Sequence, residues 1–221
     1  MSVQLKEIKE SKTFNRIVSK YNLDSKKVLD LGCGTGQHLL KFGPDSLGVT
    51  ITTSEIEDGR NNKLNIVGGN VEFIDNMGLD SDFQIIWANN LIEHLLSPHS
   101  FLIKLKTISN KDTLLILGVP VIPKIHSLLK LKKFKGSLAI NHVNFFNKKT
   151  LEKTVERAGW RIIDSKSFVF ANNFLDKIFG LISPHIYIVA SNDTGFKYSI
   201  KKIKECENDK RYQDLLDIVE K

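Results

Sequence analysis

Val28-Leu29-Asp30-Leu31-Gly32-Cys33-Gly34-Thr35-Gly36-Gln37-His38-Leu39-Leu40 joins an apolar stretch to the start of a helix through three alternating glycines. Glycine has no Cβ, so Gly32, Gly34 and Gly36 can take positive φ and let the backbone approach a ligand, while a following helix offers free N–H groups. The spacing narrows the ligand class. A loop that cradles a pyrophosphate needs G-x-G-x-x-G, and here the third glycine comes one residue early, with Gln37 in the place that pattern requires.

Outward from this turn, apolar runs alternate with helical patterns. Strands are predicted over 26–31, 46–51, 64–67, 83–88, 113–119, 160–163 and 186–190, the run at 113–119 being apolar throughout, as a strand buried on both faces should be. Leading helices are expected over 3–21. A first helix starts over 36–41 and is stopped by Gly43-Pro44, and a second, capped by Ser54, runs to about 61. Further helices are expected within 95–109, over 150–158 and over 174–181. Strands alternating with helices imply an α/β fold: a Rossmann-like, open, mostly parallel seven-stranded sheet with helices on both faces. We place one domain over 1–191, with 1–25 as leading helices and 120–148 as a basic lid or insertion, followed by a charged helical tail over 192–221.

The composition of 221 residues, 41% hydrophobic and 26% charged, excludes disordered and fibrous classes. The polar opening segment lacks a signal-peptide core, and the apolar run 114–123 is too short to span a bilayer, so a cytoplasmic protein is expected. Two cysteines offer neither a disulfide framework nor a zinc cluster, and Cys33 reads as a small loop filler rather than a nucleophile. No metal site is assigned. The net charge is +7, and seven lysines with no acid fall between Lys124 and Lys149, a pattern suited to an anionic acceptor, a membrane surface or nucleic acid.

With Asp30 two residues before the first glycine, the loop resembles motif I of the class I S-adenosylmethionine-dependent methyltransferases, small-molecule members of types 11 and 23 included. Other segments carry the same resemblance over about 26–190. Gly48-Val49-Thr50-Ile51-Thr52-Thr53-Ser54-Glu55 is similar to the variant of cyclopropane-fatty-acid-type enzymes, in which a threonine and a side chain five residues later share the ribose. Trp87-Ala88-Asn89-Asn90-Leu91-Ile92-Glu93-His94-Leu95 resembles a family segment ending in Glu-His-Leu, and Asn141-His142-Val143-Asn144-Phe145-Phe146, with Arg157-Ala158-Gly159-Trp160, a His-x-x-Phe-Phe, helix, Ala-Gly-aromatic pattern.

The resemblance implies S-adenosyl-L-methionine as cofactor. Asp30, Gly32, Cys33, Gly34 and Gly36 would surround its methionine end, Thr50 and Glu55 its ribose, Asn70 and Val71 its adenine, Asn89 would face it, and Ile51 is also counted among the cofactor-binding residues. Thr50, Asn70 and Gln84 replace acids common in the family, which keeps a catalytically silent binding module as an alternative. Methyl transfer is an in-line displacement at a carbon activated by a sulfonium. A general base matters only for a weakly acidic hydroxyl, and His142 and His94 are the candidates for it. The expected acceptor is a small molecule or a lipid- or nucleotide-linked saccharide, with 124–135 closing over a phosphorylated acceptor or resting on an anionic membrane. Nucleic acid ranks low, because Asn89-Asn90-Leu91-Ile92 stands where an Asn-Pro-Pro-Tyr-type tetrapeptide would be. The sequence does not set the oligomeric state.

Overall fold

A computed structural model describes residues 11–123, 139–170, 172–180 and 182–220. All seven expected strands form one sheet: β1 (Val28–Leu31), β2 (Leu47–Thr50), β3 (Ile66–Gly68), β4 (Ile85–Asn89), β5 (Leu114–Pro120), β6 (Trp160–Lys166) and β7 (His185–Asn192). Their order is β3-β2-β1-β4-β5-β7-β6, with β7 antiparallel to both neighbours and every other pairing parallel. The order reverses between β1 and β4, which places a ligand crevice beyond their carboxyl ends.

Side chains alternate between the two faces of the sheet, as the strand period of two requires. Leu29, Leu31, Ile86, Ala88, Leu115 and Leu117 join one core, while Val28, Ile85, Trp87 and Ile116 join the other. Helix α1 (Lys12–Tyr21) covers the second face with Phe14 and Ile17. There Phe14, His38, Phe42 and Trp87 form a cluster of rings with centroids 4.6 to 6.3 Å apart. The first face is covered by α3 (Pro98–Lys104) and α4 (Lys148–Arg157), which supply Phe101, Leu102, Leu151 and Val155 to the larger core. The remaining helices are α2 (Thr53–Asn61), α5 (Asn173–Phe179), α6 (Ile200–Glu205) and α7 (Lys210–Val219).

Several local expectations are corrected. The helix after the glycine loop is a single 3-10 turn, Gln37–Lys41, because Gly43-Pro44 leaves no room for a full α-helix. The N-cap of α2 is Thr52 and not Ser54, which lies inside the helix. The region 95–109 divides into α3, begun by Pro98 in its first turn, and a 3-10 turn, Leu105–Ile108. The expected leading helix over 3–10 and the basic stretch 124–135 lie outside the described residues. Among the described residues no helix is long and apolar enough to cross a membrane.

Candidate functional site

The crevice is built from the ends of β1, β2 and β4. Gly32, Gly34 and Gly36 all take the left-handed conformation, at φ 72°, 56° and 81°. The loop is pinned where it leaves β1, since the N–H groups of Gly32 and Cys33 both donate to the Val49 carbonyl of β2, at 2.9 and 3.0 Å. The three glycines serve different ends. A Cβ on Gly34 would meet only Glu55 Oε1, at 3.8 Å, so this position opens onto the crevice, whereas one on Gly36 would strike Ile66 and Leu64 in the core. At Gly32 the neighbour is Leu91, 3.1 Å from such a Cβ, which brings the loop after β4 against the glycine loop.

A cavity of about 310 Å³ results, lined by Asp30, Gly32, Cys33, Gly34, Thr35, Gln37, His38, Glu55 and Asn89. Six of the residues expected from sequence to bind the cofactor therefore share one wall-to-wall space, and Thr35, Gln37 and His38 join them. Thr50 reaches it indirectly: its hydroxyl donates to Glu55 Oε2 at 2.6 Å, so the strand-two threonine holds the carboxylate that lines the cavity. Ile51 is 71% exposed and outside the cavity lining, and Val71 is buried in the larger core. Asn70 caps the 3-10 segment Val71–Asn76, its side-chain oxygen accepting from the Glu72 N–H at 3.0 Å.

The polar groups on the cavity floor lack partners. Asp30 Oδ2 and Asn89 Oδ1 are buried acceptors with no hydrogen bond in the protein. Asn89 lies over its register partner Gly118, where any Cβ would collide with the amide oxygen and the Tyr187 ring. Burial pushes the Asp30 carboxyl well above the usual carboxylate range and lowers the His38 imidazole to about 4. Their 3.9 Å approach is therefore not an ion pair near neutral pH. Burial, and then the charges of Asp30 and Glu55, push the Cys33 thiol up, so the thiolate needed for nucleophilic attack is disfavoured.

Immediately beyond Asn89 the chain makes a left-handed step at Asn90 and a 3-10 turn, Ile92–His94. The Val143 and Asn144 N–H groups both donate to the Glu93 carbonyl at 3.0 Å, which ties the His142 segment to this turn. His94 and His142 consequently meet edge to face, ring centroids 4.8 Å apart. Glu93, 1% exposed, has a carboxylate oxygen within 4.8 Å of a ring nitrogen of each, and it is not among the residues that the sequence marks as candidates. The available signal was an acid just after a buried strand, in a turn whose neighbours Leu91 and Ile92 are apolar.

A family model described as a methyltransferase domain matches residues 7–165. The chain belongs to the methyltransferase domain family. No protein of curated function is a match. Solved structures of similar fold include a TehB-like S-adenosylmethionine-dependent methyltransferase from Corynebacterium glutamicum, at 18% identity and TM-score 0.56, covering 81% of this chain and 87% of that one. An S-adenosylmethionine-dependent methyltransferase from Archaeoglobus fulgidus matches at 17% identity and TM-score 0.57, covering 82% and 95%. The [4+2]-cyclase SpnF matches at 12% identity and TM-score 0.59, covering 81% and 79%, so this fold by itself does not specify the reaction.

Membership of the family makes this chain an S-adenosylmethionine-dependent methyltransferase, and its cavity fits that cofactor. The methionine end carries an ammonium, the donor that buried Asp30 Oδ2 and Asn89 Oδ1 lack, and the open face of Gly34 leaves room for the attached chain. Once bound, the cofactor supplies a methyl carbon made electrophilic by a sulfonium. Asp30 and Asn89 would orient it, Thr50 would hold Glu55 toward the ribose hydroxyls, and the apolar residues beneath the loop exclude water.

Proposed function

We propose that the acceptor is a small molecule or a carried glycan with an anionic group, entering where His94 and His142 meet. One observation carries this reading. At the same end of the sheet, just past β5, a cavity of about 710 Å³ has an apolar floor of Val121, Ile122 and Phe146 and a rim carrying Lys148 and Lys149. Its volume suits a drug-sized or sugar-sized ligand. Lys148 is already engaged, donating to the Ser165 carbonyl at 2.7 Å and lying 3.6 Å from Glu152. The exposed Lys149 is the better candidate for a phosphate.

An acceptor hydroxyl carried from this cavity toward the Glu93 turn would meet the two imidazoles, whose segments are joined by the bonds from Val143 and Asn144 to the Glu93 carbonyl. The lysines of 124–135 lie outside the described residues; their number in the sequence suits a lipid-linked acceptor presented at an anionic membrane.

The test is an acceptor panel of matched sugars with and without phosphate, assayed with wild type and Lys149→Gln. The phosphorylated members should be preferred. The variant should raise their KM by about two- to fivefold, as loss of one exposed ionic contact does, and leave S-adenosylmethionine affinity unchanged. Replacing Lys130, Lys132, Lys133 and Lys135 by glutamine should weaken retention on anionic liposomes at low salt. Equal kinetics on both classes of acceptor would remove the anionic group from this reading, and unchanged liposome binding would remove the membrane.

A further inference from the structure

Glu93, His94 and His142 bring three ligand atoms within 4.8 Å of one another, two of them from the turn that follows Asn89 of the cavity wall. Both carboxylate oxygens of Glu93 are buried and lack a hydrogen-bond partner, although the side chain is only 1% exposed. A buried carboxylate without a hydrogen-bond partner is strongly disfavoured. His94 Nε2, the nearest basic atom, is 3.9 Å from Glu93 Oε1, too far to share a hydrogen bond directly.

The tautomer of His94 sharpens the problem. Its Nδ1 lies 3.1 Å from the Asn141 carbonyl, which can only accept, so Nδ1 carries the proton and donates. In the neutral ring Nε2 then presents a lone pair toward the lone pairs of Glu93. Two acceptors that face each other across this gap call for a cation between them. Ligands that share one ion at about 2.0–2.2 Å lie roughly 3–3.5 Å apart, so a closure of at most about 1.8 Å, made by side-chain rotation, would complete the set. A histidine whose Nδ1–H is fixed on a backbone carbonyl while Nε2 faces the ion is the arrangement that orients metal-binding imidazoles.

We propose that Glu93, His94 and His142 form a binding site for a first-row divalent transition-metal cation. Two imidazoles and one carboxylate select Mn²⁺, Fe²⁺, Co²⁺, Ni²⁺ or Zn²⁺ over Mg²⁺ and Ca²⁺, which prefer oxygen ligands throughout. Three protein ligands leave coordination positions unfilled, the condition for a metal that polarises a substrate oxygen. Its role toward the acceptor rests on the reading that the acceptor enters between the two histidines; the site itself does not. As metal ligands, His94 and His142 would orient the acceptor through the ion, and neither would take its proton.

Full-length protein stripped with a chelator and dialysed should be titrated with Mn²⁺, followed by electron paramagnetic resonance, and with Co²⁺, followed by visible d–d absorption. One equivalent should bind, and a several-fold excess of Mg²⁺ should not displace it. His142→Ala, on a half-exposed side chain, should weaken binding by at least about tenfold while S-adenosylmethionine affinity measured by calorimetry stays the same. Glu93→Gln should do likewise; because Glu93 is buried, His142→Ala decides the matter if that variant misfolds. Absence of stoichiometric Mn²⁺ and Co²⁺ binding in wild type, or equal affinity in His142→Ala, would overturn the site. A metal that binds but leaves methylation of every acceptor unchanged on removal would overturn its role and leave the site standing.

Discussion

Two buried acceptors, Asp30 and Asn89, are the groups by which the cavity is expected to hold the cofactor, and Gly118 and Gly34 leave the space for them to do so. Gly118 exists beneath Asn89 because nothing larger than hydrogen fits between the amide oxygen and the Tyr187 ring. Gly118→Ala should therefore displace the Asn89 side chain and weaken S-adenosylmethionine binding, at a cost of the order of one hydrogen bond to a charged group, about 1.5–3 kcal/mol or roughly ten- to a hundredfold in Kd. Gly34→Val acts by a different route, placing a β-branched side chain at φ 56° and in the open face of the cavity. It should abolish detectable binding while far-UV circular dichroism stays that of the wild type. Calorimetry on the two folded variants checks both, and wild-type affinity in Gly34→Val would make the loop a structural turn with no part in binding.

At the scale of elements, the 3-10 turn after β4 and the segment before α4 matter most, since each supplies one histidine and neither is regular enough to hold it alone. The N-terminus of α4 is fixed by a reciprocal pair: Asn147 Oδ1 accepts from the Thr150 N–H at 2.9 Å, and the Asn147 N–H donates to Thr150 Oγ1 at 3.0 Å. Asn147→Ala removes the first of these and should lower stability by about 1 kcal/mol in denaturant unfolding. It lies five residues from His142, so acceptor KM should rise with cofactor affinity unchanged. A variant with wild-type stability would show that the cap is redundant with packing by Leu151 and Val155. This element was legible in outline only, as 150–158. The asparagine three residues before a threonine carries the boundary, and the apolar periodicity of the helix does not register it.

Over the whole molecule, the charged tail proves to be part of the domain core. Helix α7 buries Leu215, Leu216 and Val219, and Leu215 and Val219 join the larger core beside α3. Leu215→Ala should accordingly cost about 2 kcal/mol or more, read as a lowered urea midpoint. A loss below about 0.5 kcal/mol would mean that the tail is only docked on the surface. What the sequence by itself determined was the sheet, the glycine turn and the family, because seven apolar strands and three glycines at fixed spacing are local patterns that a buried parallel sheet and a left-handed loop require. Only the tertiary structure shows which glycine opens onto the crevice and that the Thr50 hydroxyl bonds Glu55. It alone makes Asn70 the cap of its own turn and buries Glu93, without a hydrogen-bond partner, within 4.8 Å of His94 and His142. Those are relations between atoms far apart in the chain, and no periodicity encodes the direction in which a side chain points once strands from different parts of the sequence have been brought side by side.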